Sequence, residues 1–219
     1  MNARAVLFDF GHTLFDTSAS VDFVVEWSAG TESPLDHPVA AELWEAARVR
    51  SRSADEIAKG RDRSPDLHRS CWTALWHGLE ARCPGVAAAL YEFESGPFGW
   101  IPYADANEVM SELRRRGIPI AVVSDVGFDL RPIFRHHGLD HHVDTYVLSY
   151  ERGSIKPDGK LFGVAAAELG VPLAESLMVG DNHLNDGAAV AAGVTTLLLP
   201  AVASGHARGL ATVLQLVRT

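Results

Sequence analysis

The fold of this chain is decided by the stretch Val6-Leu7-Phe8-Asp9-Phe10-Gly11-His12-Thr13-Leu14-Phe15-Asp16. Its first three residues are apolar and predict a buried strand, and Asp9 follows at the point where that strand ends. A carboxylate flanked by two phenylalanines is unfavourable to bury unless it has a partner. Asp9 is therefore the first candidate for a functional residue.

Short apolar runs alternate with amphipathic helical patterns from residue 100 onward. The runs predict strands at 118–123, 177–179 and 194–199, and the patterns predict helices at 105–116, 130–137, 158–169 and 210–217. Asp105 is the expected N-cap of the first of these helices. Such alternation is typical of an α/β fold with a doubly wound parallel sheet covered by helices on both faces.

The interval from residue 17 to residue 98 has no alternating strand pattern and predicts helices only, at 19–28, 37–50, 65–82 and 86–94. We interpret it as a helical cap inserted into a core formed by residues 1–16 and 99–219, with hinges near Thr17 and at 96–99. Packing among the cap helices is the expected role of Trp27, Trp72 and Trp76. No substrate motif is recognisable in this interval.

Composition bounds the function further. Among 219 residues, 28 are acidic and 19 basic, giving a net charge of −9, which argues against nucleic-acid binding as the main activity. No apolar run is long enough to predict a membrane span, and no signal peptide is expected before the first strand. Cys71 and Cys83 fall about 18 Å apart if residues 65–82 form one continuous helix, too far to bond. A reduced, cytoplasmic protein is predicted, with no prediction of its oligomeric state.

Polar residues follow three of the predicted strands. Asp9 ends the first, Ser124 follows Ile120-Ala121-Val122-Val123, and Asp181 follows Met178-Val179-Gly180. Because the carboxyl ends of parallel strands share one edge of a sheet, and ligands bind there, these three residues should converge on one site. Lys156 precedes a predicted helix and can reach the same edge; it is one of only three lysines in the chain.

These residues resemble, in order, the four motifs of the haloacid dehalogenase-like (HAD) superfamily: Asp9, Ser124, Lys156, and Gly180-Asp181 followed by Asp186. The resemblance implies a hydrolase that acts on a small phosphorylated metabolite and forms an aspartyl-phosphate on Asp9. By the family pattern, Mg²⁺ is held by Asp9, Asp181, Asp186 and the Gly11 carbonyl. The phosphoryl group is held by Ser124 and Lys156, and Asp125 is predicted with them as a substrate-binding residue, although many relatives have Asn or a small residue at its position.

Each motif residue also has a purely structural interpretation. Asp186 could be the N-cap of a helix over residues 187–192, and Ser124 could cap the helix that follows it. Taken alone, Lys156 before Pro157 would be a solvated loop lysine.

The first motif departs from the family pattern, Asp-x-Asp-Gly-Thr-Leu, because Gly11 stands where the second Asp acts as general acid/base. Such catalysis is typically worth about 10² to 10⁴-fold, so its loss should slow ester hydrolysis without abolishing substrate or metal binding. Either another group moves the proton, with His12, Asp16 and Asp125 as candidates, or the substrate has a leaving group that needs no acid.

Other chemistries also remain open. Phosphonate-cleaving relatives carry a small residue at this position and use a cap lysine as a Schiff base, for which Lys59 is the only candidate in residues 17–98. Haloacid dehalogenases also lack the second Asp, although Gly180-Asp181 argues against them. A catalytically weak protein that binds a phosphorylated ligand or a partner is the last alternative.

Overall fold

The computed structural model describes residues 3–202 and 206–218, so residues 1–2, 203–205 and 219 of the predicted core lie outside the description. Its strands are β1 (Ala5–Phe8), β2 (Phe15–Asp16), β3 (Ile101–Pro102), β4 (Ile120–Ser124), β5 (Thr145–Leu148), β6 (Ser176–Gly180) and β7 (Thr195–Leu198). Five of them form one sheet in the order β5-β4-β1-β6-β7, and every neighbouring pair is parallel. The α/β prediction is confirmed.

The helices among the described residues are α1 (Ala19–Ser28), α2 (His37–Ser51), α3 (Ala54–Ala58), α4 (Pro65–Leu75), α5 (His77–Glu80), α6 (Val86–Glu94), α7 (Ala106–Arg115), α8 (Arg131–His136), α9 (Ser149–Arg152), α10 (Lys160–Glu168) and α11 (Val213–Leu216). None of them is long and apolar enough to cross a bilayer.

Helices cover both faces of the sheet because side chains alternate along each strand. Val6 and Phe8 of β1 pack in a buried cluster with α7 and α8. Leu7 points to the opposite face and packs with Leu161 and Phe162 of α10. β1 is thus buried on both sides, which explains its uninterrupted apolar run.

Helices α1 to α6 form a layer of their own, which we call the helical segment (residues 19–94). Its buried cluster includes Val24, Leu75, Leu79 and Leu90, and it is separate from the two clusters that flank the sheet. The chain enters and leaves this segment through the antiparallel pair β2–β3, in which Phe15 lies opposite Pro102. The two ends of the segment are therefore held side by side.

The predicted helix over residues 65–82 is wrong in one respect, because it breaks at Trp76 into α4 and α5. Trp76 leaves the helical region with φ −82° and ψ 19°, and its side chain is almost completely buried. Gly78, a weak helix former, follows the break. Cys71 and Cys83 consequently do not share one helix; both are buried free thiols.

Asp105 lies at the predicted N-cap position, directly before α7, but it does not cap the helix through its side chain. Its backbone is already in the helical region, with φ −95° and ψ −1°, and its side chain makes no cap hydrogen bond. The carboxylate instead accepts hydrogen bonds from the backbone N–H groups of Arg208, Gly209 and Leu210, each at 2.8 Å. Asp105 therefore fixes the backbone of residues 208–210. The helix predicted over 210–217 is shorter in the structure, which has a 3₁₀ turn followed by α11.

Candidate active site

The three polar residues predicted at strand ends lie at one edge of the sheet. Asp9 directly follows β1, Ser124 is the last residue of β4, and Asp181 directly follows β6. β4 and β6 flank β1 in parallel, and the Asp9 amide donates to the Val179 carbonyl at 2.9 Å. Neighbouring parallel strands thus bring these sequence-distant side chains together.

Lys156 is buried at the same edge, so its interpretation as a solvated loop lysine is wrong. Its Nζ lies 2.6 Å from Asp9 Oδ1 and 2.5 Å from Asp186 Oδ1, and only 2% of the residue is exposed. Burial alone would lower the pKa of Lys156, but the carboxylates of Asp186 and Asp9 outweigh burial and raise it. The ammonium therefore stays charged between two buried carboxylates.

Asp186 is fully buried and does not cap a helix. Its Oδ2 accepts hydrogen bonds from the backbone N–H of Asp181 at 3.0 Å and of Asn182 at 2.9 Å. A Cβ on Gly180 would collide with this carboxylate, which explains why glycine precedes Asp181. Asp186 thus fixes the backbone that carries Asp181.

Three carboxylates form a cluster that fits a divalent cation. One oxygen each of Asp9, Asp181 and Asp186 lies within 4.8 Å of the others, and this is the one such group of His, Cys, Asp or Glu side chains across residues 3–202 and 206–218. Oxygen-only ligand sets suit hard cations such as Mg²⁺. Burial raises the pKa of Asp9 and of Asp181, and the nearby Lys156 opposes both shifts. A bound cation would favour the ionised carboxylates.

Ser124 and Asp125 lie beside this cluster. Ser124 is buried and caps no helix, because α8 begins seven residues later. Asp125 Oδ1 accepts a hydrogen bond from the backbone N–H of Lys156 at 2.8 Å. This bond ties the loop that carries Lys156 to the end of β4.

A cavity of about 220 Å³ opens between this edge and the helical segment. The sheet edge contributes Asp9, Ser124, Asp125, Lys156 and Asp181. The opposite wall comes from the helical segment and is rich in arginine and aromatic side chains: Trp44, Arg48, Arg52, Arg61, Asp62, His68, Trp72, Trp76 and Tyr91. Trp72 and Trp76 pack among the helices but also line the cavity, so the predicted packing role describes them only in part. Trp27 packs in the helical segment away from the cavity, as predicted.

The place of the missing second Asp is filled by an aromatic ring. A Cβ on Gly11 would lie 3.3 Å from Cζ3 and 3.4 Å from Cη2 of Trp100. This ring lies 4.4 Å from Phe10, measured between ring centroids, and its Nε1 donates to the Glu94 carbonyl at 2.6 Å. Gly11 is thus the residue that lets Trp100 close this side of the cavity.

The candidate proton donors from the first motif are placed unfavourably. His12 lines the cavity, but its Nε2 is 2.8 Å from Arg48 Nη1. Burial, followed by the charges of Arg48 and Arg52, lowers the pKa of His12 to about 3. Asp16 is buried, accepts a hydrogen bond from the Ser18 amide, and does not line the cavity.

Lys59, the residue required by a Schiff-base mechanism, also lies outside the cavity lining. Its Nζ pairs with Glu56 Oε1 at 2.7 Å, and 45% of its side chain is exposed. The structure therefore does not bring Lys59 to the candidate site.

No sequence motif indicated that the helical segment lines the cavity. Trp44, Arg48 and Arg52 are spaced four residues apart and line the cavity. This spacing places them on one face of a helix, and it could have indicated that the face is shared. Arg61, Asp62 and His68 carry no comparable signal, because Arg61 and Asp62 lie in a short 3₁₀ turn and His68 lies on the next helix, α4. Their approach to the sheet edge depends on tertiary packing.

Comparisons with known proteins agree with this geometry. A profile of the haloacid dehalogenase-like hydrolases matches residues 3–193. The chain is 37% identical over 101 residues to mouse haloacid dehalogenase-like hydrolase domain-containing protein 3, covering 46% of this chain and 40% of that protein. It is 39% identical over 85 residues to phosphoserine phosphatase of Thermus thermophilus, covering 38% and 34%. This chain therefore spans well under half the length of these two relatives.

A longer match joins this chain to glyceraldehyde 3-phosphate phosphatase of Methanopyrus kandleri, 29% identical over 189 residues, covering 81% of this chain and 75% of that protein. Among solved structures, a dehalogenase with an intermediate complex superposes with a TM-score of 0.77 at 20% identity, covering 100% and 99% of the two chains. A HAD phosphatase from Thermococcus onnurineus superposes with a TM-score of 0.64 at 20% identity over the full length of both. The fold is thus shared by dehalogenases and phosphatases.

Proposed function

The chain belongs to the haloacid dehalogenase-like hydrolases, and from that premise we propose that it is a Mg²⁺-dependent hydrolase of a small phosphorylated metabolite. The observation that carries this proposal is the meeting of Asp9, Asp181 and Asp186 around one point, with Lys156 beside them. Relatives named as phosphatases match the chain over 38% and 81% of its length, which supports phosphate esters as substrates.

Asp9 is the proposed nucleophile. Its carboxylate would attack phosphorus, displace the alcohol and leave an aspartyl-phosphate that water then hydrolyses. Mg²⁺, when bound by Asp9, Asp181, Asp186 and the Gly11 carbonyl, supplies the charge neutralisation that lets one anion approach another. Lys156 would supply a second positive charge beside Asp9 for the phosphoryl group.

Ser124 and Asp125 are the proposed substrate-binding residues beside Lys156. The Ser124 hydroxyl is available to donate to a phosphoryl oxygen at the cavity floor. Asp125 keeps the Lys156 loop in place through the 2.8 Å bond to its amide. The arginines of the opposite wall add positive charge that suits an anionic metabolite.

We propose that residues 17–98 act as a cap over a core of residues 1–16 and 99–219. The helical segment supplies one wall of the cavity, and β2–β3 holds its two ends together. Opening would admit substrate, with hinges near Thr17 and at 96–99, and closure would exclude water.

Two buried, unpaired cysteines support a reducing, cytoplasmic location.

The experiment is phosphate release from a broad panel of phosphate esters with Mg²⁺ or with a chelator. We expect release that requires Mg²⁺ and is abolished by Asp9→Asn, while Asp22→Asn, a matched change at an exposed aspartate of α1, retains it. Chloride release from chlorinated acids would instead indicate a dehalogenase. Absence of turnover with Asp9-dependent ligand binding would indicate a binding protein.

A further inference from the structure

We propose that Asp62, carried by the helical segment, is the general acid/base that replaces the carboxylate missing at Gly11. This role rests on the proposed phosphohydrolase function. It assigns the proton transfers to a residue outside the family motifs, on the wall of the cavity that faces Asp9.

The position of Asp62 is fixed by contacts to the sheet edge. It lies in a 3₁₀ turn, Arg61–Arg63, and lines the same cavity as Asp9. Ser149 Oγ donates to the Asp62 carbonyl at 2.5 Å, and the Val126 amide donates to the same Ser149 Oγ at 2.8 Å. The turn is thus bonded to the loop that follows Ser124.

Two further contacts hold the neighbourhood of this turn. Arg63 donates through both terminal nitrogens to Asp158, at 2.9 and 3.1 Å. In α4, the Cβ of His68 lies so close to Gly127 that a side chain there would collide with it. The segment around Asp62 is therefore attached to the loop that follows Ser124 and to the turn that carries Lys156.

The direction of the reaction favours a donor on this wall. In an in-line displacement, the attacking and leaving oxygens lie on opposite sides of phosphorus. With Asp9 attacking from the sheet edge, the leaving oxygen points toward the helical segment. Asp125 lies on the floor with its Oδ1 bonded to the Lys156 amide, and His12 is held by Arg48.

The Asp62 carboxyl is available for proton transfer. Within the described parts of the chain, no donor forms a hydrogen bond with its carboxyl oxygens; Arg61 Nε lies 3.7 Å and His68 Nε2 3.6 Å from Oδ1. His68 Nδ1 is 2.9 Å from the Tyr91 hydroxyl, and burial lowers the pKa of His68 to about 3, so its ring is neutral.

Burial raises the pKa of Asp62 to about 6; Arg61 and Lys156 oppose this shift, and Asp125 adds to it. A carboxyl with such a pKa can exchange a proton near neutral pH.

Two balanced proton transfers follow. As Asp9 forms its bond to phosphorus and the bond to the leaving oxygen breaks, protonated Asp62 gives its proton to that oxygen, and the alcohol departs. Water then takes the vacated place. As water attacks phosphorus, its proton passes to the Asp62 carboxylate, the Asp9–phosphorus bond breaks, and phosphate is released with Asp62 protonated again.

The test compares the activity of Asp62→Asn with that of the parent on two substrates, phenyl phosphate and p-nitrophenyl phosphate, in the presence of Mg²⁺. We expect kcat on phenyl phosphate to fall by about 10² to 10⁴-fold, because its leaving group needs a proton. With p-nitrophenyl phosphate we expect a rapid burst of about one nitrophenolate per chain and then slow turnover, because the aspartyl-phosphate lacks its base. Asp66→Asn, an exposed aspartate four residues away that does not line the cavity, should match the parent.

Several outcomes separate this role from others. Full activity of Asp62→Asn on phenyl phosphate would overturn the role and leave the proposed function intact. Equal losses on both substrates without a burst would also overturn it, since they indicate a structural effect. Partial rescue by Asp62→Glu would support it. Absence of phosphate release by the parent would overturn the proposed function and the role of Asp62 together.

Discussion

Restoring the family carboxylate by Gly11→Asp should not restore faster chemistry, because Trp100 lies where the new side chain would go. Even a Cβ would lie 3.3 Å from the indole ring, and a carboxylate extends further. The ring cannot easily retreat, since it packs on Phe10 and is bonded to the Glu94 carbonyl. Substrate would also meet an extra negative charge beside Asp9.

The expected penalty follows from this overpacking. Extra atoms forced into a filled site typically destabilise a protein by about 1–3 kcal/mol. We expect Gly11→Asp to lower the free energy of unfolding by about that amount and Gly11→Ala by less. Urea unfolding followed by tryptophan fluorescence measures the stability, and Mg²⁺-dependent phosphate release from phenyl phosphate measures the activity.

A double-mutant cycle isolates the contact. In a Trp100→Ala background the ring is absent, so Gly11→Asp should lose most of its penalty, and the two changes should show a coupling energy of about 0.5–3 kcal/mol. If Gly11→Asp alone left stability unchanged and raised phosphate release, the ring would not be the barrier and this reasoning would fail.

Three other changes test the site and its attachments. Lys156→Met should lower the free energy of unfolding by about 3–5 kcal/mol without Mg²⁺, because two buried carboxylates lose their counter-charge, and added Mg²⁺ should recover part of the loss in a urea titration; no loss would contradict the ion pairs. Gly180→Ala should displace the Asp186 carboxylate and weaken Mg²⁺ binding by about 10–100-fold in calorimetry; unchanged binding would exclude a role for Asp186. The hydrogen bonds from Arg63 lower the pKa of Asp158 to about 2, so their stabilisation should be present above the ordinary value of 3.8 and vanish as pH falls toward 2. The stability difference between the parent and Arg63→Ala should therefore shrink between about pH 5 and pH 2, and a constant difference would refute the assignment.

The sheet edge was predictable because its signals are local and periodic. Apolar runs identify β1, β4 and β6, and the polar residue at the end of each run identifies its place at the edge. Helices α1 and α6 were also predicted with their observed bounds. Parallel topology then brings Asp9, Ser124 and Asp181 together without any further information.

Other features depend on competition that a sequence pattern does not contain. Asp105 has the sequence context of an N-cap, but three backbone donors from residues 208–210 take its carboxylate. Trp76 lies within a good helical pattern, yet the helix breaks there as its side chain is buried. Asp62 lies at the cavity because Ser149 bonds to its backbone carbonyl and His68 of the helical segment packs against Gly127.

The ammonium of Lys156, placed between Asp9 and Asp186, bears on how the newly synthesised chain folds. A newly synthesised chain must bury several acidic groups, and many metalloproteins cannot do so until an ion arrives from outside. Here a covalently attached cation fills that need during folding. We therefore expect the polypeptide to fold without a divalent cation, with Lys156 paired to Asp9 and Asp186.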